Sequence, residues 1–257
     1  MRFTVREIAR YYDSTPESIS SPFGGVGTWD VEHPYLDEVL ETMGIDLEGK
    51  KILDVGCGSG WFSVYCMKRG CFYCGIDITD RCIQLTNKVA SRVLKASGDS
   101  LPFASGFFDY VFFMDSFEHL TRQKLAVEEA SRVLAESGRV FVSVPNYSNM
   151  CGIVKKIEEA IGFYRKDTWA PFNFWAPQAL EHFMTPGRVK QVFSEGGFEN
   201  FRMIGGHSDF LDGIFPWINH RFMLGASIIR KAFSLIERPL TKMFPWLSLH
   251  NFWLIGK

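Results

Sequence analysis

The stretch Lys51-Ile52-Leu53-Asp54-Val55-Gly56-Cys57-Gly58-Ser59-Gly60-Trp61 decides how the rest of the chain is read. Ile52, Leu53 and Val55 make the short apolar run that a strand buried on both faces needs. The run ends in Gly56, Gly58 and Gly60, spaced two apart, and Phe62, Ser63, Val64, Met67 and Lys68 continue as a helix. A strand that turns through glycines into a helix leaves backbone N–H groups bare, and a ligand approaches without meeting a Cβ. The expectation is a nucleotide-sized site, and spacing selects the nucleotide. The dinucleotide fingerprint Gly-x-Gly-x-x-Gly sets its third glycine three residues after the second. Here Trp61 holds that position and Gly60 comes one residue early. An indole there argues against a pyrophosphate, and Asp54 adds a negative charge that a phosphate ligand would oppose. A zwitterionic, sulfonium-bearing ligand tolerates both.

Two further acids follow in order. Cys71 to Ile76 reads as a second apolar strand ending in Asp77, 21 residues after Gly56. That is the distance at which a carboxylate on the next strand tip reaches a ribose diol, accepting from both hydroxyls. Gly98-Asp99-Ser100-Leu101-Pro102-Phe103 then supplies a third acid after a third strand. Taken together, these segments resemble the class I S-adenosylmethionine-dependent methyltransferases, in the small-molecule branch that includes quinone-biosynthesis and natural-product enzymes. The resemblance implies S-adenosylmethionine as cofactor, held by Asp54, Gly56, Cys57, Gly58, Gly60, Asp77, Ile78, Asp99, Ser100 and Asp115. In that family the acid matched by Asp99 accepts from the adenine amino group, and the backbone N–H of the next residue, Ser100, faces the ring.

The likeness runs on. Phe108 to Asp115 is similar to the family's fourth strand, and Ser116-Phe117-Glu118-His119-Leu120 to its Leu-Glu-His segment. Ala126, Val127, Ala130, Val133 and Leu134 recur at helical spacing, so 121–135 reads as an amphipathic crossover helix. Gly138 stops it, and Arg139 to Val144 is the fifth strand. Thr185-Pro186 starts a helix that Gly196-Gly197 ends, Phe201 to Ile204 is a sixth strand, and Leu247 to Ile255 alternates as the last. Alternating strands and helices give a doubly wound α/β fold, a mostly parallel seven-stranded sheet with helical lid insertions. The motifs are specific over about 50–145; over 186–257 only the architecture matches. The expected layout is a single domain over 1–257, with a core of 48–145, 186–204 and 247–257 and lid segments 1–33, 146–185 and 205–246.

Composition sets the outer bounds. The 257 residues carry 28 basic and 29 acidic side chains, net charge −1, so no electrostatic footprint for nucleic acid appears. No uncharged apolar run reaches bilayer length, and Met1 to Tyr12 is charged where a signal peptide would be apolar, so a cytoplasmic protein is expected. Of the six cysteines, Cys71 and Cys74 form a Cys-x-x-Cys, but on a strand they point to opposite faces. No second such pair exists, so no metal site is expected and the cysteines read as reduced core residues.

The lids should choose the acceptor. They hold Tyr11, Tyr12, Phe23 and Trp29; Tyr147, Phe163, Tyr164, Trp169, Phe172, Phe174, Trp175 and Phe183; and Phe210, Phe215, Trp217, Phe222, Phe233 and Phe244. Ile153, Val154, Ile157, Ala160 and Ile161 make one amphipathic helix, and Ile228, Ile229, Ala232, Phe233 and Ile236 another that ends before Pro239. Such stripes pack on a core, line an apolar pocket, or meet a membrane surface or second subunit. The segment after the fourth strand, Met114-Asp115-Ser116-Phe117, is not the Asn/Asp-Pro-Pro-Tyr/Phe of enzymes that methylate nucleobase and glutamine amino groups. That and the neutral charge favour a small or lipid-like acceptor.

Methyl transfer is mostly positioning, but an oxygen nucleophile also needs a base. His119 is the first candidate, with Glu118 to orient it or act itself; capping or packing is the bland alternative for His119. His182, His207, Tyr147 and Tyr12 are weaker candidates. The expected function is methylation of a small apolar or aromatic acceptor at oxygen. The alternatives are transfer to carbon or nitrogen of a small molecule or lipid, and a cofactor-binding partner protein that has lost catalysis.

Overall fold

The computed structural model describes residues 4–14, 33–149, 179–206 and 226–257, with parts of 152–162; over 226–234 it describes the backbone alone. Phe23, Trp29, the aromatics of 163–178, His207 and the aromatics of 210–222 lie outside the described residues. Seven strands form one sheet: β1 Lys51–Val55, β2 Phe72–Asp77, β3 Val93–Lys95, β4 Phe108–Met114, β5 Leu134–Pro145, β6 Asn200–Gly205 and β7 His250–Gly256. Their order is β3-β2-β1-β4-β5-β7-β6. β1 to β5 run parallel, and β7 is antiparallel to both β5 and β6.

The period of two along each strand builds two cores. Leu53, Val55, Ile76, Val111, Phe113, Val142 and Trp253 face one side, where Val127 and Val133 of α5 (Gln123–Val133) and Val189 and Phe193 of α6 (Pro186–Glu195) pack. Ile52, Tyr73, Phe112, Phe141 and Phe252 face the other, against α2 (Pro34–Met43) and α3 (Trp61–Lys68). Helices on both faces of the sheet are the doubly wound arrangement the sequence predicts. Cys74 lies in the first core and Cys71 against the second, and Cys71 Sγ donates to the Leu47 carbonyl at 3.2 Å.

Three boundaries differ from the sequence reading. The crossover helix ends at Val133, and β5 starts at once, its register with β4 slipping between Phe108 and Tyr110 so that Gly138 lies in the irregular stretch rather than after a helix. β7 begins at His250, because Pro245–Leu247 coils into a 3₁₀ turn. The last helix, α7 (Ala226–Met243), passes through Pro239 instead of stopping before it.

The sheet's carboxyl end gathers the predicted site. β7 runs backward, so its first residue, His250, registers with Pro145, the last of β5, and reaches the end where β1, β2 and β4 terminate.

Candidate functional site

The glycine turn forms as predicted but its donors are spent within the protein. Gly56, Gly58 and Gly60 all have positive φ. A Cβ on Gly56 would stand 2.6 Å from Ser116 Cβ, and one on Gly60 2.9 Å from Thr86 Cγ2, so both turns need glycine. The expectation of bare N–H groups is corrected at four residues. Gly56 and Cys57 donate to the Ile76 carbonyl, Gly58 to Asp77 Oδ2 at 3.1 Å, and Gly60 to the Cys57 carbonyl. The loop is stitched to the end of β2, which fixes its shape in advance. Trp61 does not block it; the indole turns into the helical layer, edge-on to His33 at 4.8 Å.

The three acids differ in setting. Asp54 is buried beneath the loop, where Oδ2 accepts from the Tyr73 hydroxyl at 2.7 Å and Oδ1 has no hydrogen-bond partner among the described residues. Burial raises its carboxyl to about 7. Asp77, half-buried at the tip of β2, accepts from Gly58 and, through Oδ1, from the Thr79 N–H at 2.9 Å and hydroxyl at 2.8 Å. Burial outweighs these donors and holds its carboxyl above the ordinary value. Asp99 pairs with Arg122 through Oδ2, while its buried Oδ1 has no hydrogen-bond partner among the described residues. The backbone N–H of Ser100 does not face outward as expected: it donates to the Ser97 carbonyl at 3.0 Å, closing a tight turn.

A second polar group lies at the ends of β4, β5 and β7. Asp115 follows β4 with φ of +50°, the only non-glycine residue with positive φ among those described. Ser143 Oγ donates to its Oδ1 at 3.1 Å, and His250 Nε2 meets the same oxygen at 2.5 Å. His250 escaped the sequence reading because an alternating strand position carries no sign of a partner on β4. Ser116 donates to the Val55 carbonyl, so this group adjoins the glycine turn.

Beyond it, the 3₁₀ turn Phe117–His119 presents the predicted catalytic pair. Glu118 is 1 % exposed; burial first, then Asp115 and Glu181, push its carboxyl well above the usual range. His119 Nε2 lies 3.7 Å from Glu118 Oε1, and its Nδ1 meets the Leu180 carbonyl at 2.6 Å. The irregular segment 179–184 runs alongside, bonded through His182 N–H to the Glu118 carbonyl and through the Met184 carbonyl to Tyr147 N–H. It brings buried Glu181 to the Tyr147 hydroxyl, which donates to it. The helix α1 (Val5–Ser14) packs alongside: Ile8, Tyr11 and Tyr12 cluster with Ile78, Ala179 and Leu180. Tyr12 lies edge-on to His119 at 6.3 Å, its hydroxyl held protonated by burial and by Glu181 and Glu118. Of the weaker candidates, Tyr12 thus lies against His119, His182 bonds to the carbonyls of its neighbours Glu118 and Leu120, and Tyr147 bonds to Glu181. Among the described residues no three metal-ligating side chains come together.

The comparisons agree with this geometry. Residues 53–142 match the family model described as a methyltransferase domain. Over that segment the chain is similar to methyltransferase domains. The chain is 29% identical over 163 residues to a ubiquinone biosynthesis O-methyltransferase of Idiomarina loihiensis, covering 58% of this chain and 65% of that protein. It is 25% identical over 179 residues to the 27-O-demethylrifamycin SV methyltransferase of Amycolatopsis mediterranei, covering 61% and 66%. The chain thus spans just under two thirds of the length of these relatives. Its fold is that of a solved Thermotoga maritima protein described as a SAM-dependent methyltransferase, possible histamine N-methyltransferase. That likeness has a TM-score of 0.58 at 16% identity and covers 87% of this chain and 89% of that one. No helix among the described residues is long and apolar enough to cross a membrane.

Proposed function

We propose that the protein transfers the methyl group of S-adenosylmethionine to a hydroxyl of a small apolar or lipid-like acceptor. The observation that carries the choice of oxygen is the fixed imidazole of His119. A ring whose Nδ1 meets a carbonyl at 2.6 Å must carry its proton there, which makes Nε2 the basic nitrogen. An imidazole so held takes a proton from a hydroxyl near neutral pH. Glu118, whose carboxyl burial holds well above the usual range, lies 3.7 Å from Nε2 and is the second candidate base.

The residues present suit the cofactor. Asp77 would take the ribose hydroxyls chiefly through Oδ2, which accepts from Gly58, whereas Oδ1 already accepts twice from Thr79. The unpartnered, buried Oδ1 of Asp99 calls for a donor such as an exocyclic amino group. Gly56, Cys57, Gly58 and Gly60 would line the ligand with backbone, Ile78 would pack on it, and Asp54 and Asp115 would bias the site toward positive charge. Ser100 would contribute through its side chain rather than its N–H. Once bound, the cofactor supplies an electrophilic methyl on sulfur; the chain's part is to orient the acceptor, exclude water and take the proton.

The reading extends to the whole of 1–257 as one domain, with 48–145, 186–204 and 247–257 as core. The segments 1–33, 146–185 and 205–246 form the lids that select the acceptor. The packing of α1 and 179–180 over Ile78 supports this. The five described cysteines are all free, which suits a cytoplasmic protein.

A basic amine is the second acceptor class. It is favoured by the buried Glu118 and Glu181 with Tyr12 and Tyr147 beside them, a lining that suits a cation. Incubating the protein and a cell extract with methyl-labelled S-adenosylmethionine, then resolving products by mass spectrometry, separates the readings. A labelled methyl ether supports oxygen transfer, and a labelled amine the second class. Label found only in protein or nucleic acid, or none, overturns both.

A further inference from the structure

Over the described side chains of α7, residues 235–243, water and the core have exchanged places. The polar Glu237 and Thr241 are buried, at 0% and 3% exposure, while Leu235 and Ile236 stand 78% and 56% exposed and Met243 65%. Leu235, Ile236, Pro239 and Met243 fall within an arc of about 100° on the helix, one continuous stripe. Trp246, 46% exposed, continues it past the helix end.

A second apolar row meets it at one corner. Ile153, Ile157 and Ile161 recur every four residues and are all more than half exposed. Asn146 Nδ2 donates to the Trp246 and Ser248 carbonyls, both at 2.7 Å, and Asn149 Nδ2 to Ser248 at 3.0 Å. Asn149 Oδ1 then accepts from Gly152 N–H, where the helical stretch begins. Of the ten large apolar side chains left exposed among the described residues, these two rows hold seven, so the exposure is concentrated rather than scattered.

The charge beside the stripe is one-sided. In sequence α7 carries Arg230, Lys231, Arg238 and Lys242 against a single acid, Glu237, which is buried. Arg238 and exposed Lys242 follow one edge of the stripe, Arg238 reaching Glu38 at 3.6 Å. A chain of net charge −1 has placed cations along this bare apolar stripe. Two copies joined face to face by this stripe would bring like charges together. An anionic lipid surface instead takes the apolar side chains into its acyl boundary and pairs the basic edge with headgroup phosphate. A tryptophan at the helix end suits that boundary, being apolar in body and polar at one edge.

We propose that the corner formed by α7, the Pro245–Leu247 turn and the exposed Ile153, Ile157 and Ile161 is a docking surface for an anionic lipid bilayer. It lies beside the end of β5, next to the proposed methyl-transfer site, so on that reading an apolar acceptor would enter from the lipid side. The surface itself rests on exposure and charge and stands apart from the methyl-transfer reading.

Co-sedimentation of the full chain with vesicles tests it. The protein should pellet with phosphatidylcholine vesicles holding about a quarter phosphatidylglycerol, bind pure phosphatidylcholine at least about tenfold more weakly, and be released by about 0.5 M salt. Leu235→Glu/Ile236→Glu should lower binding more than tenfold, and Leu125→Glu, an exposed apolar site elsewhere, should leave it unchanged. Lys242→Glu, which keeps the apolar stripe, should weaken it several-fold and covers a failure of the double variant to fold. Wild-type protein staying in the supernatant, equal binding to neutral vesicles, or full binding by the double and Lys242→Glu variants overturns the proposal. So does a concentration-dependent dimer in sedimentation velocity that the double variant abolishes without any vesicle binding. Calorimetry with S-adenosylhomocysteine on the same sample tests the functional reading separately, so either can fail alone.

Discussion

Asp77 has two kinds of work, and a substitution separates them. Its carboxylate already ties the glycine turn through Gly58 and caps the following turn through Thr79. Asp77→Ala should weaken S-adenosylhomocysteine binding by roughly 1–3 kcal/mol, the scale of charge-assisted bonds to two hydroxyls. Calorimetry giving an unchanged Kd would show that the ribose is held elsewhere. His119 is a sharper wager. His119→Ala should lower turnover roughly 10²–10⁴-fold with cofactor affinity nearly intact, because the loss falls on proton removal. The wild-type rate should fall as pH drops through the imidazole range, and that inflection should vanish in the variant. Near-wild-type turnover at saturating acceptor, with the inflection kept, would return His119 to packing and shift attention to His250, whose partner Asp115 gives it an equally fixed ring.

At the scale of elements, legibility follows the range of the forces involved. The β1–glycine–α3 unit is readable because its sequence signal is local, an apolar run and then three glycines at positive φ, even though Ile76, Asp77, Thr86 and Ser116 hold it in place. Gly60→Ala tests that claim. With φ of +86° and Thr86 Cα 3.0 Å from the would-be Cβ, it should destabilise the fold by about 1–3 kcal/mol in urea melts. A variant as stable as wild type would mean the turn relaxes freely. Elements set by distant partners were less legible. β7 was placed three residues early because Leu247 and Leu249 alternate as a strand would, yet Ser248 and the Pro245–Leu247 turn are claimed by Asn146 and Asn149 a hundred residues away. α7 was ended at Pro239, but the helix continues to Met243. The candidate site divides the same way. The acids on strand tips were visible from spacing, whereas Glu181 and His250 enter only through the pairing of 179–184 with Glu118 and of β7 with β5.

The whole molecule carries an electrostatic cost for this site, and its sign is measurable. Asp54, Asp77 and Glu118 all have carboxyls raised mainly by burial, so the folded protein without ligand holds protons that the unfolded chain releases. A raised folded-state acid contributes most below its unfolded value and loses that contribution as pH climbs through its folded value. For Asp54 the window is 3.8 to about 7, and across it the ligand-free protein should lose about 4 kcal/mol relative to a chain lacking the charge. Asp54→Asn keeps an oxygen for the Tyr73 hydroxyl and removes the ionisation. The variant should therefore be no more stable than wild type near pH 4 and clearly more stable near pH 8, with the difference opening between those limits. Urea midpoints taken at unit steps of pH give the comparison directly. Parallel curves for the two proteins would mean that Asp54 ionises without penalty, which its burial and unpartnered Oδ1 argue against. A carboxylate that destabilises the empty fold at neutral pH has a physical reason to persist when a positively charged ligand stabilises its ionised form. Added S-adenosylmethionine should accordingly raise the wild-type midpoint more at pH 8 than at pH 5.5, and that pH dependence should flatten in Asp54→Asn.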